Sequence, residues 1–389
     1  MGKKCKGELK NMKKYLALAL ALLMVCVMLP VTALAATTLP EAQDGVIKLT
    51  EDVNLGAMAV VGTEGSNLTL DLNGWTITAA GTALDVYGTL KVIDSSDAKT
   101  GKVVSTAKNA MWINDNTKVT MEAGTFEGNE YGIVVAGKNA EFTMNGGAAK
   151  GTTGSGISGN GNETNGTPDY APTTININGG EITGSDAGIY HPQIGMLNIN
   201  GGSISGASGI EMRAGTLNVT GGTITATATS VVVTANGNGP TTVGAAIAVS
   251  QHTTKHEITV NVNGGVLTGA AAINEANPQD NSEADTSKID INVNGGSLTG
   301  EIKKASSADL TISGGKLTNA GNVTEYLASG KTIDQNGYVV DKVTVHVPGS
   351  GETTTTPAGN PTTGAAENTG IAVAMVVVAL LGTAAALRK

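Results

Sequence analysis

The sequence has few aromatic residues and only two cysteines, and each shortage excludes a class of protein. Trp, Tyr and Phe together make up 3% of the 389 residues, so a globular core built around aromatic rings is excluded. Both cysteines, Cys5 and Cys26, lie close to the N-terminus. A protein exported without them has no disulfides and must be held together by packing and backbone hydrogen bonds alone.

Basic residues are also scarce. Residues 36–363 contain 16 basic and 31 acidic residues, a net charge of −15, and Arg213 is the only arginine among them. Nucleic-acid binding needs a basic surface, so we expect no nucleic-acid partner. The 54 glycines of the chain would suit a disordered protein, but 40% of its residues are hydrophobic and are regularly placed. This regularity favours a folded repeat.

The N-terminal residues 1–35 are predicted to be a helical signal peptide. Six lysines between positions 3 and 14 precede an apolar run over 16–31, and Ala33, Leu34 and Ala35 form a small-residue cleavage site. This order of basic, apolar and small residues is typical of secretory signals. Met12 is an alternative start. Both cysteines would leave with the signal.

The C-terminal residues 364–389 contain a predicted transmembrane anchor. The apolar run over 371–387 is near the lower limit for spanning a bilayer, and the final Arg388 and Lys389 would stay on the cytoplasmic side. Residues 348–363 are predicted to be a Thr/Pro/Gly linker that ends in a short motif. The motif itself is Asn360, Pro361, Thr362, Thr363 and Gly364.

This motif, its spacer, the apolar span and the basic end resemble the cell-wall sorting signal of Gram-positive surface proteins. The resemblance implies that a sortase-type cysteine transpeptidase cuts between Thr363 and Gly364 and joins Thr363 to peptidoglycan. Asn360 departs from the family, which usually has Leu at this position. The alternative interpretation is a plain tail anchor. The expected location is therefore the cell wall or cell surface, with a precursor held in the membrane by its C-terminal helix.

One eight-residue motif recurs eight times along the chain. Positions one, three and eight are apolar, positions two and four are mostly polar, and position six is always glycine. Apolar-polar alternation predicts a half-buried strand, and the glycine predicts a corner where a Cβ atom would clash. The copies start 19 to 43 residues apart and occupy 119–126, 142–149, 175–182, 197–204, 217–224, 260–267, 291–298 and 310–317.

Most copies are followed by a third short strand, so a unit of about 20 residues with three strands fits one coil of a parallel β-solenoid. Residues 45–320 resemble the right-handed parallel β-helix (pectate-lyase-like) family in architecture, with no catalytic motif of that family. The alternative is an antiparallel sandwich. We expect an N-terminal cap and first coils over 36–118, regular coils over 119–330 and C-terminal cap strands over 331–347.

Stacked coils would align equivalent polar residues about 4.8 Å apart. One such ladder consists of Asn176, Asn198, Asn218, Asn261 and Asn292. Its side chains are expected to stabilise the stack by hydrogen bonds. The alternative is that they bind a glycan or ordered water. A second ladder consists of Asn178, Asn200, Asn263 and Asn294. Glycan-binding sites usually stack sugar rings on aromatic side chains. Trp75 and Trp112 lie outside these ladders, which weakens the glycan-binding alternative.

Long insertions at 159–172, 226–243 and 274–287, with the segment 251–256, mostly follow the third strand. They should therefore gather along one edge of the solenoid, where insertions in repeat proteins often form the binding surface. The alternative is that these insertions have no binding role and are merely tolerated at the surface.

Catalytic and metal candidates are few. Tyr190 and His191 should stack beside Glu211 and Arg213 on adjacent third strands, with Asp186 nearby, as a possible acid/base group for cutting an acidic polysaccharide. Asp280, Glu283 and Asp285 are candidate ligands for Ca²⁺, although their spacing fits no known loop pattern. No other cofactor is expected.

The expected function is that of a cell-wall adhesin or structural display module that binds glycans or host surface proteins. The alternative is a wall-tethered polysaccharide lyase or glycosidase.

Overall fold

The computed structural model describes residues 36–161, 172–279, 283–346 and 353–357. Over most of these residues the chain winds into coils, and each coil contributes one strand to each of three columns, here called sheet 1, sheet 2 and sheet 3. Strands of successive coils pair in parallel within each column. The predicted all-β parallel β-helix is therefore confirmed. Thr286–Lys288 and Thr324–Tyr326 are short 3-10 turns.

The strands of the three sheets are short and closely matched in length. Sheet 1 consists of Val46–Lys48, Asn67–Asp71, Thr89–Ile93, Lys118–Met121, Glu141–Met144, Thr173–Ile177, Gly195–Ile199, Gly215–Val219, Ile258–Val262, Ile289–Val293 and Asp309–Ile312. Sheet 2 consists of Val53–Leu55, Thr76–Ala79, Lys102–Ser105, Thr125–Gly128, Ala148–Gly151, Glu181–Gly184, Ser203–Gly206, Thr223–Ala226 and Lys316–Thr318. Sheet 3 consists of Ala59–Val61, Leu84–Val86, Met111–Ile113, Ile133–Val135, Ile157–Gly159, Ala187–His191, Ser208–Met212 and Ala245–Val249. Two longer strands, Val266–Glu275 and Ser297–Lys304, continue from sheet 2 into sheet 3 without a break.

The core is a continuous apolar bore enclosed by the three sheets. Motif positions one, three and eight point into it, as in Ile175, Ile177 and Ile182, which are all 1% exposed or less. The equivalent residues of neighbouring coils are direct partners across the strands, for example Ile177 and Ile199. Removing such side chains from water supplies roughly 25 cal/mol per Å² of apolar area. This burial is the main source of stability for the described residues, which contain no cysteine.

The glycine at motif position six lies at the corner between sheets 1 and 2, as the repeat predicts. Gly202 has a φ of +80°, and a Cβ atom there would lie 2.9 Å from the carbonyl oxygen of Gly180 in the preceding coil. The preceding glycine is also needed, since a Cβ atom on Gly201 would lie 2.4 Å from the Asn178 carbonyl oxygen. The corner is therefore glycine-rich because coils approach each other backbone to backbone.

The described chain departs from regular coils at two places. An antiparallel hairpin formed by Val232–Val233 and Thr242–Val243 projects between sheets 2 and 3. At the C-terminal end Lys331–Ile333, Val339–His346 and Thr353–Pro357 form an antiparallel sheet. The last of these strands falls within the segment expected to be a linker.

Both predicted targeting segments lie outside the described residues. These are the signal helix over 1–35 and the sorting motif with its anchor helix from Asn360 onward. Within the part of the chain that is described, no helix has the length and apolar character needed to cross a bilayer.

Candidate functional site

The first asparagine ladder runs along the outer face of sheet 1 as a chain of amide hydrogen bonds. The Nδ2 of Asn218 donates to Oδ1 of Asn198 at 2.9 Å, and the Nδ2 of Asn261 donates to Oδ1 of Asn218 at 3.0 Å. Asn198 bonds to Asn176 in the same way at 2.9 Å, and Asn292 bonds to Asn261 at 3.3 Å. These amide groups therefore bond mainly to each other along the stack, which fits a stabilising role.

The second ladder lies beside the first at the end of the sheet 1 strands. Asn200 donates to Asn178 at 2.9 Å, Thr220 donates to Asn200 at 2.8 Å, and Asn294 donates to Asn263 at 3.0 Å. Thr220 thus substitutes a hydroxyl for the amide in one coil. Both ladders therefore place polar side chains on the outer face of sheet 1.

The catalytic candidates on sheet 3 are brought together but buried. Tyr190 is the direct partner of Glu211 in the next coil, and His191 is the partner of Met212. His191, Glu211 and Arg213 are each 0% exposed, and Tyr190 is 5% exposed. His191 points into the bore by the alternation of its strand, so a substrate at the surface does not reach it. Burial lowers the pKa of His191 to about 4, which keeps its ring neutral at pH 7.

Glu211 binds the base of the projecting hairpin. Its carboxylate accepts hydrogen bonds from the backbone N–H of Thr241 at 2.7 Å and of Thr242 at 3.1 Å, and from the Thr241 hydroxyl at 2.9 Å. Burial raises the pKa of Glu211 to about 7, against the lowering effect of nearby Arg213 and of these bonds. The side chain is therefore committed to holding the hairpin in place.

Arg213 holds the tip of the same hairpin. Its Nη1 donates to the carbonyl oxygens of Asn236 and Gly239, both at 2.7 Å, and its Nε donates to the carbonyl oxygen of Ser250 at 3.0 Å. The only arginine of residues 36–363 thus ties the hairpin to the strand end that follows it. Glu211 and Arg213 are positioning residues in this structure, since both are buried and bonded to backbone groups.

The insertions converge on one side of the solenoid, as their positions in the sequence predict. Residues 159–161, Asn238 of the hairpin and His252 together form one wall of a cleft on the outer face of sheet 3. They pack closely, because a Cβ atom on Gly161 would lie 3.1 Å from Nε2 of His252. We call this feature the sheet 3 cleft. Its volume is about 170 Å³.

The floor of the sheet 3 cleft is a row of outward-facing residues on successive coils. Trp112 is the direct partner of Val134, Val134 of Ser158, and Ser158 of Tyr190. Trp112 is half-buried at one end of the row, where Tyr131 also lines the cleft. The Tyr131 ring packs on Gly154, where a Cβ atom would lie 2.8 Å from its Cε1. Three of the few aromatic residues of this chain therefore line one cleft.

The described lining of the sheet 3 cleft is polar but uncharged. Burial, with a smaller contribution from nearby Arg213, lowers the pKa of His252 to about 4, so the ring is neutral at pH 7. The remaining side chains are aromatic, hydroxyl, amide or aliphatic. The Tyr190 hydroxyl lies near Arg213 and has no hydrogen bond of ordinary geometry to any described residue.

The candidate calcium ligands do not form a site in the described residues. Asp285 pairs with Lys288 at 3.2 Å and accepts a hydrogen bond from Ser287 at 2.7 Å. Asp280 lies outside the described residues. Among the described residues, no group of three His, Cys, Asp or Glu side chains is placed to hold a metal ion.

Sequence reasoning missed the sheet 3 cleft. Trp112 lies outside the asparagine ladders, but it occupies an outward position on sheet 3 in line with Tyr190. The signal was present in the repeat, since both residues fall on third strands, but the insertions obscured the register between them. Comparison with known proteins does not identify a relative: no protein-family model, no curated protein and no solved structure matches the chain.

Proposed function

We propose that this protein is a cell-wall-anchored surface module that binds glycans through the sheet 3 cleft. In this proposal the signal peptide exports the chain, and a sortase-type transpeptidase joins Thr363 to peptidoglycan. The β-helix, with the right-handed coil that parallel crossovers favour, displays its insertions as a rigid rod. The observation that carries the binding role is the convergence of two insertions, the segment 251–256 and three aromatic residues on one cleft.

The alternative function, a wall-tethered lyase or glycosidase, gains no support from the candidate catalytic residues. Glu211 and Arg213 are bonded to the hairpin backbone, and His191 lies within the bore. A general acid or base must come within hydrogen-bonding reach of its substrate. We therefore favour binding without catalysis.

Two measurements test this proposal on cells that carry the full chain. Mass spectrometry of wall fragments released by a muramidase should find Thr363 bonded to a peptidoglycan stem peptide, and Thr363→Ala with Gly364→Ala should abolish this product. The same fragments should bind at least one class of glycan on an array and release no new sugar ends from it. A protein that stays in the membrane, or that binds no glycan, would refute the corresponding half of the proposal.

A further inference from the structure

We propose that the sheet 3 cleft takes a single uncharged sugar ring, which stacks on Trp112 and Tyr131 and bonds to the Tyr190 hydroxyl. This inference rests on the proposed function and narrows it to one ligand class. The ligand class follows from the rings of Trp112 and Tyr131, the buried hydroxyl of Tyr190 and the charge of the lining.

Trp112 and Tyr131 provide the stacking surface. Trp112 and Tyr131 both line the cleft and both remain partly exposed, so their rings are accessible from the cleft. One face of a pyranose presents C–H groups, which pack on aromatic rings, while its hydroxyls point to the sides. By contrast Trp75, the other tryptophan of the chain, is 38% exposed and does not line the cleft.

The buried hydroxyl supplies a directional contact. Tyr190 is 5% exposed, and its hydroxyl lacks a well-formed hydrogen bond to any described residue. A buried polar group without a partner lowers stability, and a ligand hydroxyl that bonds to it recovers that loss on binding. A small apolar ligand would leave the tyrosine hydroxyl unpaired.

The charge and size of the cleft restrict the class of ligand further. No described lining side chain is charged at pH 7. The guanidinium of Arg213 lies near the Tyr190 hydroxyl, but it already donates to the carbonyl oxygens of the hairpin and of Ser250, so a uronic acid carboxylate would have to compete with these bonds for this cation. A quaternary ammonium ion could contact the rings, but it has no hydroxyl to bond to Tyr190. The volume of about 170 Å³ suits one sugar ring.

The test uses fluorescence of the full chain carrying Trp75→Phe, which leaves Trp112 as its only tryptophan. The protein is kept in a polyoxyethylene detergent, because this detergent carries neither a sugar nor a choline headgroup. Titrations with neutral hexoses, galacturonic acid and choline should change the Trp112 emission saturably only for a neutral hexose. Galacturonic acid should bind at least about tenfold more weakly.

Two variants in the same background locate the ligand. Tyr190→Phe should weaken hexose binding roughly fivefold by removing one hydrogen bond, and Tyr131→Ala up to about tenfold by removing a stacking surface. Tyr338→Phe, a matched change at a tyrosine that lies under Lys316 outside the cleft, should leave binding unchanged. Circular dichroism confirms that each variant is folded. Wild type and Trp112→Ala on a glycan array provide a second measurement that does not require Trp75→Phe.

The outcomes separate this inference from the proposed function. If galacturonic acid or choline binds as tightly as any hexose, or if hexose binding is unaffected by Tyr190→Phe and Tyr131→Ala, the inference is wrong while surface binding stands. If wild-type protein binds no glycan on the array, both fail.

Discussion

Replacing His191 with methionine should stabilise the protein, although it changes a fully buried residue. Both ring nitrogens of His191 lack hydrogen-bond partners among the described residues, and the side chain is 0% exposed. An unpaired buried polar group costs about 1–3 kcal/mol. Methionine has a similar volume and adapts to irregular gaps, and Met212 already occupies the adjacent position in the next coil. At pH 7.5 we therefore expect His191→Met to raise the free energy of unfolding by about 1–3 kcal/mol.

The effect should grow as the pH falls. Burial lowers the pKa of His191 from 6.5 to about 4, so between these values the unfolded chain binds more protons at this residue than the folded chain does. Above pH 6.5 the ring is neutral in both states, and as the pH falls towards 4 the folded state loses stability because only the unfolded chain takes up the proton. At 1.36 kcal/mol for each pKa unit, the wild type loses about 2 kcal/mol by pH 5 through this residue alone, and the variant does not.

Urea unfolding of residues 36–363 at pH 7.5 and pH 5, followed by circular dichroism, measures both differences. Contributions from Glu211, His252 and the carboxylates cancel to first order between wild type and variant. His256→Met is the control, because His256 is only half-buried and its change should be small. An equal or lower midpoint for His191→Met at pH 7.5, with the same dependence on pH as the wild type, would refute the reasoning.

Three further predictions concern the corner, the ladder and the hairpin. Gly202→Ala should lower the free energy of unfolding by about 2 kcal/mol or more, because of its positive φ and the nearby carbonyl, whereas Gly56→Ala, in open space, should be close to neutral in the same urea assay. Asn218→Ala should lower the free energy of unfolding by about 1–2 kcal/mol, since it breaks two hydrogen bonds between side-chain amides. Asn292→Ala breaks one longer hydrogen bond and should lower it less. Equal losses would contradict the stabilising role of the ladder. Arg213→Lys should loosen the hairpin, because an ammonium group does not reproduce the guanidinium geometry. Hydrogen exchange of the amides over 234–241 should then rise while that of 197–204 stays constant, and unchanged exchange in the hairpin would contradict the assigned role.

The repeat predicted the solenoid because one chemistry recurs at each position of the coil. Inward residues such as Ile199 and Val219 had to be apolar in every coil, and the glycine at position six had to adopt a positive φ, so both were visible without coordinates. The early coils were less evident, since their corners use carboxylate hydrogen bonds in place of paired glycines. Asp94, for example, accepts hydrogen bonds from the backbone N–H of Gly74 and Gly101 at 2.9 and 2.7 Å.

The site was harder to predict because it depends on contacts between distant residues. The sequence places Glu211 and Arg213 on a strand but does not indicate that the hairpin folds back over them. Their charged side chains therefore suggested catalysis, while the structure assigns them to the hairpin backbone. The alignment of Trp112 with Tyr190 is hidden in the sequence by the insertion 159–172, which lies between Ser158 and its strand partner Tyr190.

The most direct measurement of the central claim is a crystal structure of residues 36–363 grown with the neutral hexose that binds most tightly. We predict a single sugar ring in the sheet 3 cleft, packed against Trp112 and with one hydroxyl at hydrogen-bonding distance from Oη of Tyr190. A sugar bound along the asparagine ladders of sheet 1, with the cleft unoccupied at a saturating concentration, would contradict the account.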